Sequence, residues 1–199
     1  MKLFEFLPDR IKVGKKVYKC DFDFRNVLKM LEIMQREDIQ LTARDYLCAR
    51  CVIRHRIPLK TASDVYNELC SVLFEQRPEP DEKRLTSFEQ DAGLIRSAFR
   101  QEYGIDLFRE KLHWLEFKEL LQNLPDGNRY EEVIGIRARP LPAPTKYNAK
   151  EREWLMKAKQ SVALHLTEQE QEKKYDADVG KIFAGLMSMI PKDGGYIGE

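Results

Sequence analysis

The sharpest chemical candidate in this 199-residue chain is Cys48-x-x-Cys51 followed by His55. Residues three and four apart on a helix share one face, and a thiolate pair with an imidazole suits zinc; Cys70 or Cys20 would have to supply the fourth ligand. Two features argue against a metal. Both cysteines fall inside an apolar-periodic helical stretch rather than on a knuckle, and no second Cys-x-x-Cys follows. A redox role is weaker still, because no strand-loop-helix surrounds the pair. The thiols therefore read as reduced packing residues, with no cofactor implied.

Hydrolytic chemistry finds no better footing. His55, His113 and His165 fall on three separate expected helices, with neither a Gly-x-Ser-x-Gly elbow nor a His-Glu-x-x-His to accompany them. His113 reads as a helix-start residue beside Trp114. No glycine pattern forms a phosphate-binding loop. These residues do not describe an enzyme. Basic clusters occur at Arg50, Arg54, His55 and Arg56, and at Arg137, Arg139 and Lys146. With 34 basic against 33 acidic residues and a net charge of +1, they read as solvated faces, and a small DNA-binding regulator is the third-ranked function.

What must position any site is helical. Arg10 to Cys20 reads as a short hairpin turning at Gly14, and a lone hairpin needs a helix to lean on, for which the next element is the candidate. Asp21 or Asp23 caps a helix to about Gln35, with Phe24, Val27, Leu28, Leu31 and Met34 on one face. Thr42 and Asp45 open a second helix carrying Tyr46, Leu47, Val52 and Ile53, which must end by Ile57 because Pro58 follows. After Ser63 a third helix has apolar residues nearly all round, from Val65 and Tyr66 to Phe74, as a central or interface helix would. Residues 77 to 84, RPEPDEKR, form a charged, proline-containing linker without an apolar residue.

The strongest helical signal runs from Ser87 to Leu124. Phe88, Ala92, Ile95, Phe99 and Tyr103 lie on one stripe, Ser87 and Gln90 form a capping box, and Gly104 stops the helix. Trp114, Phe117, Leu120, Leu121 and Leu124 make a second stripe that opens near His113 and halts at Pro125, so an antiparallel pair is expected at the centre of the fold. The turn PDGN precedes a short segment with Tyr130, Val133, Ile134 and Ile136. RPLPAPT is stiff and extended, and Asn148 with Glu151 forms a capping pair for a helix of about four or five turns marked by Trp154, Leu155, Ala158, Val162 and Leu166.

Two blocks of wording carry a family resemblance. FEQDAGLIRSAFRQEYGIDL and LHWLEFKELLQNLPDGNRYEEVIGIRAR, together with IKVGKKVYKC followed by DFDFRNVLKMLEIM, resemble the bacteriophage gene-product-fifteen family, which includes proteins of long-tailed phages and prophages. Asp23, Phe24 and Arg25 occupy that family's Asp-Phe-Arg helix start, and by themselves read as cap, core anchor and solvated arginine. The resemblance implies a tail assembly chaperone that binds tape-measure protein, the major tail protein of the tube, or both, during virion morphogenesis. A structural tail or connector subunit is the alternative. A homo-oligomer is compatible with either.

The resemblance reaches about Leu166. Beyond it, a charged run leads to Ile182, Phe183, Leu186, Met187, Met189 and Ile190, which recur at helical spacing and read either as a last core helix or as a partner-docking stripe. The expected architecture is mainly α: a helical domain over residues 1–166 with a small amino-terminal β-hairpin, and a helical extension over 167–199. No apolar run reaches the ~20 residues that a membrane-spanning helix needs, and Met1 to Leu7 is too short for a secretory signal, so a location in the bacterial host cytoplasm is expected.

Overall fold

A two-residue turn sets the first element. Gly14, at φ +58°, links β1 (Arg10–Val13) to β2 (Lys16–Lys19) in an antiparallel pair that places Ile11 directly opposite Tyr18. Both are 3% exposed, while the lysines of the two strands face outward. The hairpin buries this face on the third helix, not on the helix that follows it in the chain. The reason is that Cys20 to Phe24 is committed elsewhere. The Asp21 amide donates to the Val52 carbonyl at 2.8 Å, and Phe22 and Phe24 exchange backbone hydrogen bonds with Trp114 and Leu112 at 2.8 and 3.0 Å.

The computed structural model describes residues 6–74 and 84–165, and these fold as a mainly helical protein with a small amino-terminal hairpin. Helix α1 (Phe24–Met34) starts where Asp23 accepts the Arg25 amide at 3.0 Å. Its buried line is Phe24, Val27 and Met30, and Leu28, Leu31 and Met34 flank that line, half-buried. Arg25 is not a solvated arginine. It pairs with Asp23 at 3.0 Å, lies over the Phe24 ring and donates to the carbonyls of Leu107 and Glu110, tying the start of α1 to a loop more than eighty positions away in sequence.

Helix α2 (Leu41–Val52) buries Asp45, Cys48, Ala49 and Val52, whereas Leu47 points outward at 41% exposure. The buried Asp45 carboxylate accepts the Ser63 hydroxyl at 2.6 Å, which fixes α2 to the start of α3 (Ala62–Leu73). Val65, Leu69 and Leu73 of α3 are fully buried, while Tyr66, Cys70 and Phe74 form a second, half-buried face. The all-round apolar character expected of this helix thus resolves into two faces.

Helix α4 runs from Ala92 to Tyr103 and ends at Gly104, whose φ is +72°. The Ser87 hydroxyl does accept the Gln90 amide at 3.2 Å, but a turn precedes the helix and Asp91 occupies the cap position. Helix α5 (Trp114–Gln122) opens at His113, as the sequence predicts: Nδ1 accepts the Leu115 amide at 3.2 Å, and Nε2 lies 3.0 Å from the Pro8 carbonyl. Phe117 is the aromatic centre. Its ring stacks on Phe24, Phe99 and Trp114 at centroid distances of 4.7, 5.1 and 5.8 Å. The most extensive helix packing is nevertheless α1 on α2 and α2 on α3, rather than α4 on α5.

Helix α6 (Arg129–Ala138) is capped by the buried Asn128, which accepts the Glu131 amide at 3.0 Å and donates to the Pro125 carbonyl at 2.7 Å across the PDGN turn. Helix α7 (Ala149–Ser161) departs from expectation in two ways. Asn148 is turned back on the proline segment, meeting Thr145 and Ala143 rather than capping the helix, and Glu151 pairs with Arg139. Of its apolar residues only Leu155 is buried, and Trp154 is 57% exposed. The described residues through Val162 belong to one compact unit. The stripe from Ile182 to Ile190 lies outside the described residues.

Candidate functional site

The cysteines and histidines singled out by their spacing do not converge. Helix α2 ends at Val52, so His55 lies beyond the helix and does not share the face of Cys48 and Cys51. Cys48 is buried with its sulfur 3.7 Å from the Met30 carbonyl, and Cys51 turns to the Leu47 carbonyl at 3.5 Å. Among the described residues no group of three His, Cys, Asp or Glu side chains is placed to hold a metal ion. Burial pushes the Cys20 thiol up to about 12, and burial followed by the neighbouring Cys51, Asp45 and Cys70 does the same for Cys48. A thiolate is the reacting species, so at pH 8 a disulfide reagent is expected to modify the half-buried Cys70 and Cys51 before Cys20 and Cys48. All four should react together only after denaturation. Rapid modification of four thiols in the native protein contradicts this arrangement.

The basic clusters are also largely committed within the fold. Arg50 donates to the carbonyls of Ile53, Arg54 and His55 at 2.8–2.9 Å, closing the end of α2, and Arg54 pairs with Asp21 at 2.8 Å. Arg137, its side chain 10% exposed, makes a two-pronged pair with the buried Asp91, at 2.7 and 2.8 Å, and also donates to the carbonyls of Leu85 and Val162. Asp91 further accepts the Ser87 amide at 2.9 Å, and Thr86 meets the Tyr130 hydroxyl at 3.1 Å. This network clasps the start of α4 to α6 and to the end of α7. It is structural, and the sequence gives no sign that an arginine near the end of α6 should seek Asp91.

The feature best suited to engaging another molecule is an apolar groove of about 1210 Å³ framed by α1, α3, α5, α6 and the turn that precedes α4. Tyr66, Phe74, Phe88, Trp114, Phe117 and Tyr130 give it an aromatic lining, and Leu31, Met34, Leu121 and Ile134 complete its walls. Its ionic groups are one Lys118 and one Glu131, so its charge cancels. Trp114 is held rigid: its indole Nε1 donates to the Leu73 carbonyl at 3.2 Å and its ring meets Phe74 and Phe88 edge-on. The volume exceeds the ~300–1,000 Å³ typical of small-molecule pockets, and a groove between helices suits an apolar face of a polypeptide. The second face of α3, with Tyr66, Cys70 and Phe74 four residues apart, was the sequence signal for it. Which helices would stand opposite was not.

No helix among the described residues is long and apolar enough to cross a membrane. No curated protein and no solved structure matches the chain. A family model described as Bacteriophage Gp15 protein matches residues 3–164, which takes in the hairpin, all seven described helices and every wall of the groove. The chain therefore belongs to the Bacteriophage Gp15 protein family.

Proposed function

We propose that this phage protein is a non-enzymatic tail assembly chaperone, which holds tape-measure protein, tail-tube subunits, or both, in the host cytoplasm until they assemble. The observation that supports this reading is the aromatic groove: a largely apolar surface with its one lysine balanced by one glutamate, suited to shielding greasy helical segments of another chain from aggregation. The carboxyl-terminal stripe of Ile182, Phe183, Leu186, Met187, Met189 and Ile190 is proposed as a second partner contact, its methionines adapting to varied apolar surfaces.

Co-expression with the tape-measure protein of the same phage tests this. Its soluble yield should rise severalfold, and a complex should be recovered. Leu121→Glu and Ile134→Glu each place a carboxylate on a half-buried wall of the groove and should lower that yield without loss of helical circular dichroism. Truncation after residue 166 should leave the helical fold intact and weaken capture. An unchanged soluble yield with no complex rejects the chaperone reading.

One observation favours a structural tail or connector subunit instead. Tyr147, Trp154 and Met156 are 92%, 57% and 47% exposed, an apolar surface of the kind buried between subunits. Mass spectrometry of purified virions separates the two, since a chaperone is absent from mature particles and a subunit is present in stoichiometric amount.

A further inference from the structure

Phe88 and Phe117 wall off a second cavity, of about 250 Å³, bounded by α1, α4 and the loop leading to α5. Its buried lining is Phe24, Ile95, Leu107 and Phe117. At the same cavity Arg96 of α4 lies over the ring of Phe108, 4.6 Å from the centroid, and that ring is 74% exposed. Among the described residues Arg96 has no hydrogen bond and no ion pair; its one recorded partner is this ring. The other charges nearby are occupied. Arg25 is paired with Asp23, Asp106 with Arg100 and Arg109, and the Glu110 carboxylate accepts the Asp106 amide.

An unpaired, half-buried guanidinium beside an apolar hole is a site with one charge to satisfy. Stacking on Phe108 orients its plane and limits its rotamers, so a carboxylate meeting its free edge loses little side-chain entropy. The cavity is too small for a helix and large enough for one big side chain, the size of an anchor at a protein interface. We propose that this pocket binds a partner polypeptide through a phenylalanine or leucine side chain next to an acidic residue, the apolar group entering over Ile95 and Phe117 and the carboxylate pairing with Arg96. The proposal is independent of the chaperone reading, which rests on the larger groove.

Amide chemical-shift titration of the full-length protein tests it with a blocked hexapeptide centred on Phe-Glu, its Phe-Gln counterpart, and 3-phenylpropanoate. The Phe-Glu peptide should shift residues around Ile95 and bind about three- to tenfold more tightly than Phe-Gln, the range of a partly exposed charged pair. Arg96→Gln should erase that preference while leaving the weaker, shared affinity, and because Arg96 supports no other contact the variant should fold normally. Equal binding of the two peptides, or a preference that survives in Arg96→Gln, overturns the proposal. Binding of 3-phenylpropanoate without either peptide also overturns it, in favour of a small aromatic acid.

Discussion

Arg137→Ala is expected to destabilise the protein by about 3–5 kcal/mol, because it strands the carboxylate of Asp91, whose side chain is only 2% exposed. Burial alone raises the pKa of Asp91, but the Arg137 and Ser87 hydrogen bonds and the guanidinium charge outweigh it, and the net shift is downward. The sign of the pH dependence follows. A carboxyl held below its unfolded value contributes stability above the ordinary aspartate range, and that contribution is lost as pH falls through the lowered native value. Without Arg137 the burial effect remains while its main opponent is gone. Arg137→Ala should therefore regain relative stability on acidification, where the wild type loses it.

The double variant Asp91→Leu with Arg137→Met should lose less than the sum of the single variants, since no buried charge is then left alone. Urea denaturation of the wild type, Arg137→Ala, the single variants Asp91→Leu and Arg137→Met, and their double variant at pH 4 and pH 7 measures all of this. Additive losses that do not change with pH would mean that the pair contributes nothing beyond packing.

Phe117→Ala is the second large effect, about 3–5 kcal/mol. The ring is 1% exposed and touches Phe24, Phe88, Phe99 and Trp114, so its loss removes the contact common to α1, α4 and α5. It is also shared by the large groove and the smaller Arg96 pocket. Truncation should join the two cavities as well as weaken the core, and binding of a hydrophobic dye to the folded variant should increase. Phe99→Ala is the control, equally buried but lining neither cavity. It should match the stability loss without the increase in dye binding. If the two variants bind dye alike, the wall between the cavities is not what Phe117 maintains.

Local signals in the sequence were sufficient for the elements themselves. Gly14 and Gly104 at positive φ, the Asp23 cap and the His113 start each depend on a few neighbouring residues, and spacing of apolar residues is enough to identify most of the helices. Family membership was legible too, because it is carried by contiguous wording. Partnerships across the fold were not. Nothing near Arg25 indicates that its guanidinium will cross to Leu107 and Glu110, and nothing near Arg137 points to Asp91 rather than to solvent or nucleic acid.

Helix α7 shows the same limit from the other side. Its periodicity identifies the helix and yet Trp154 is exposed, because a stripe specifies only which residues share a face, while burial depends on whether another element covers it. The groove is the extreme case. Leu31, Tyr66, Phe74, Trp114, Tyr130 and Ile134 come from four separate stretches, each readable as ordinary core, and only the packing of α1, α3, α5 and α6 leaves them facing a shared space. Sequence alone determined which segments are helical and which of their faces are apolar, because those properties depend on near neighbours. Tertiary structure decided which apolar faces meet and which stay open, because that depends on distances between residues far apart in the chain.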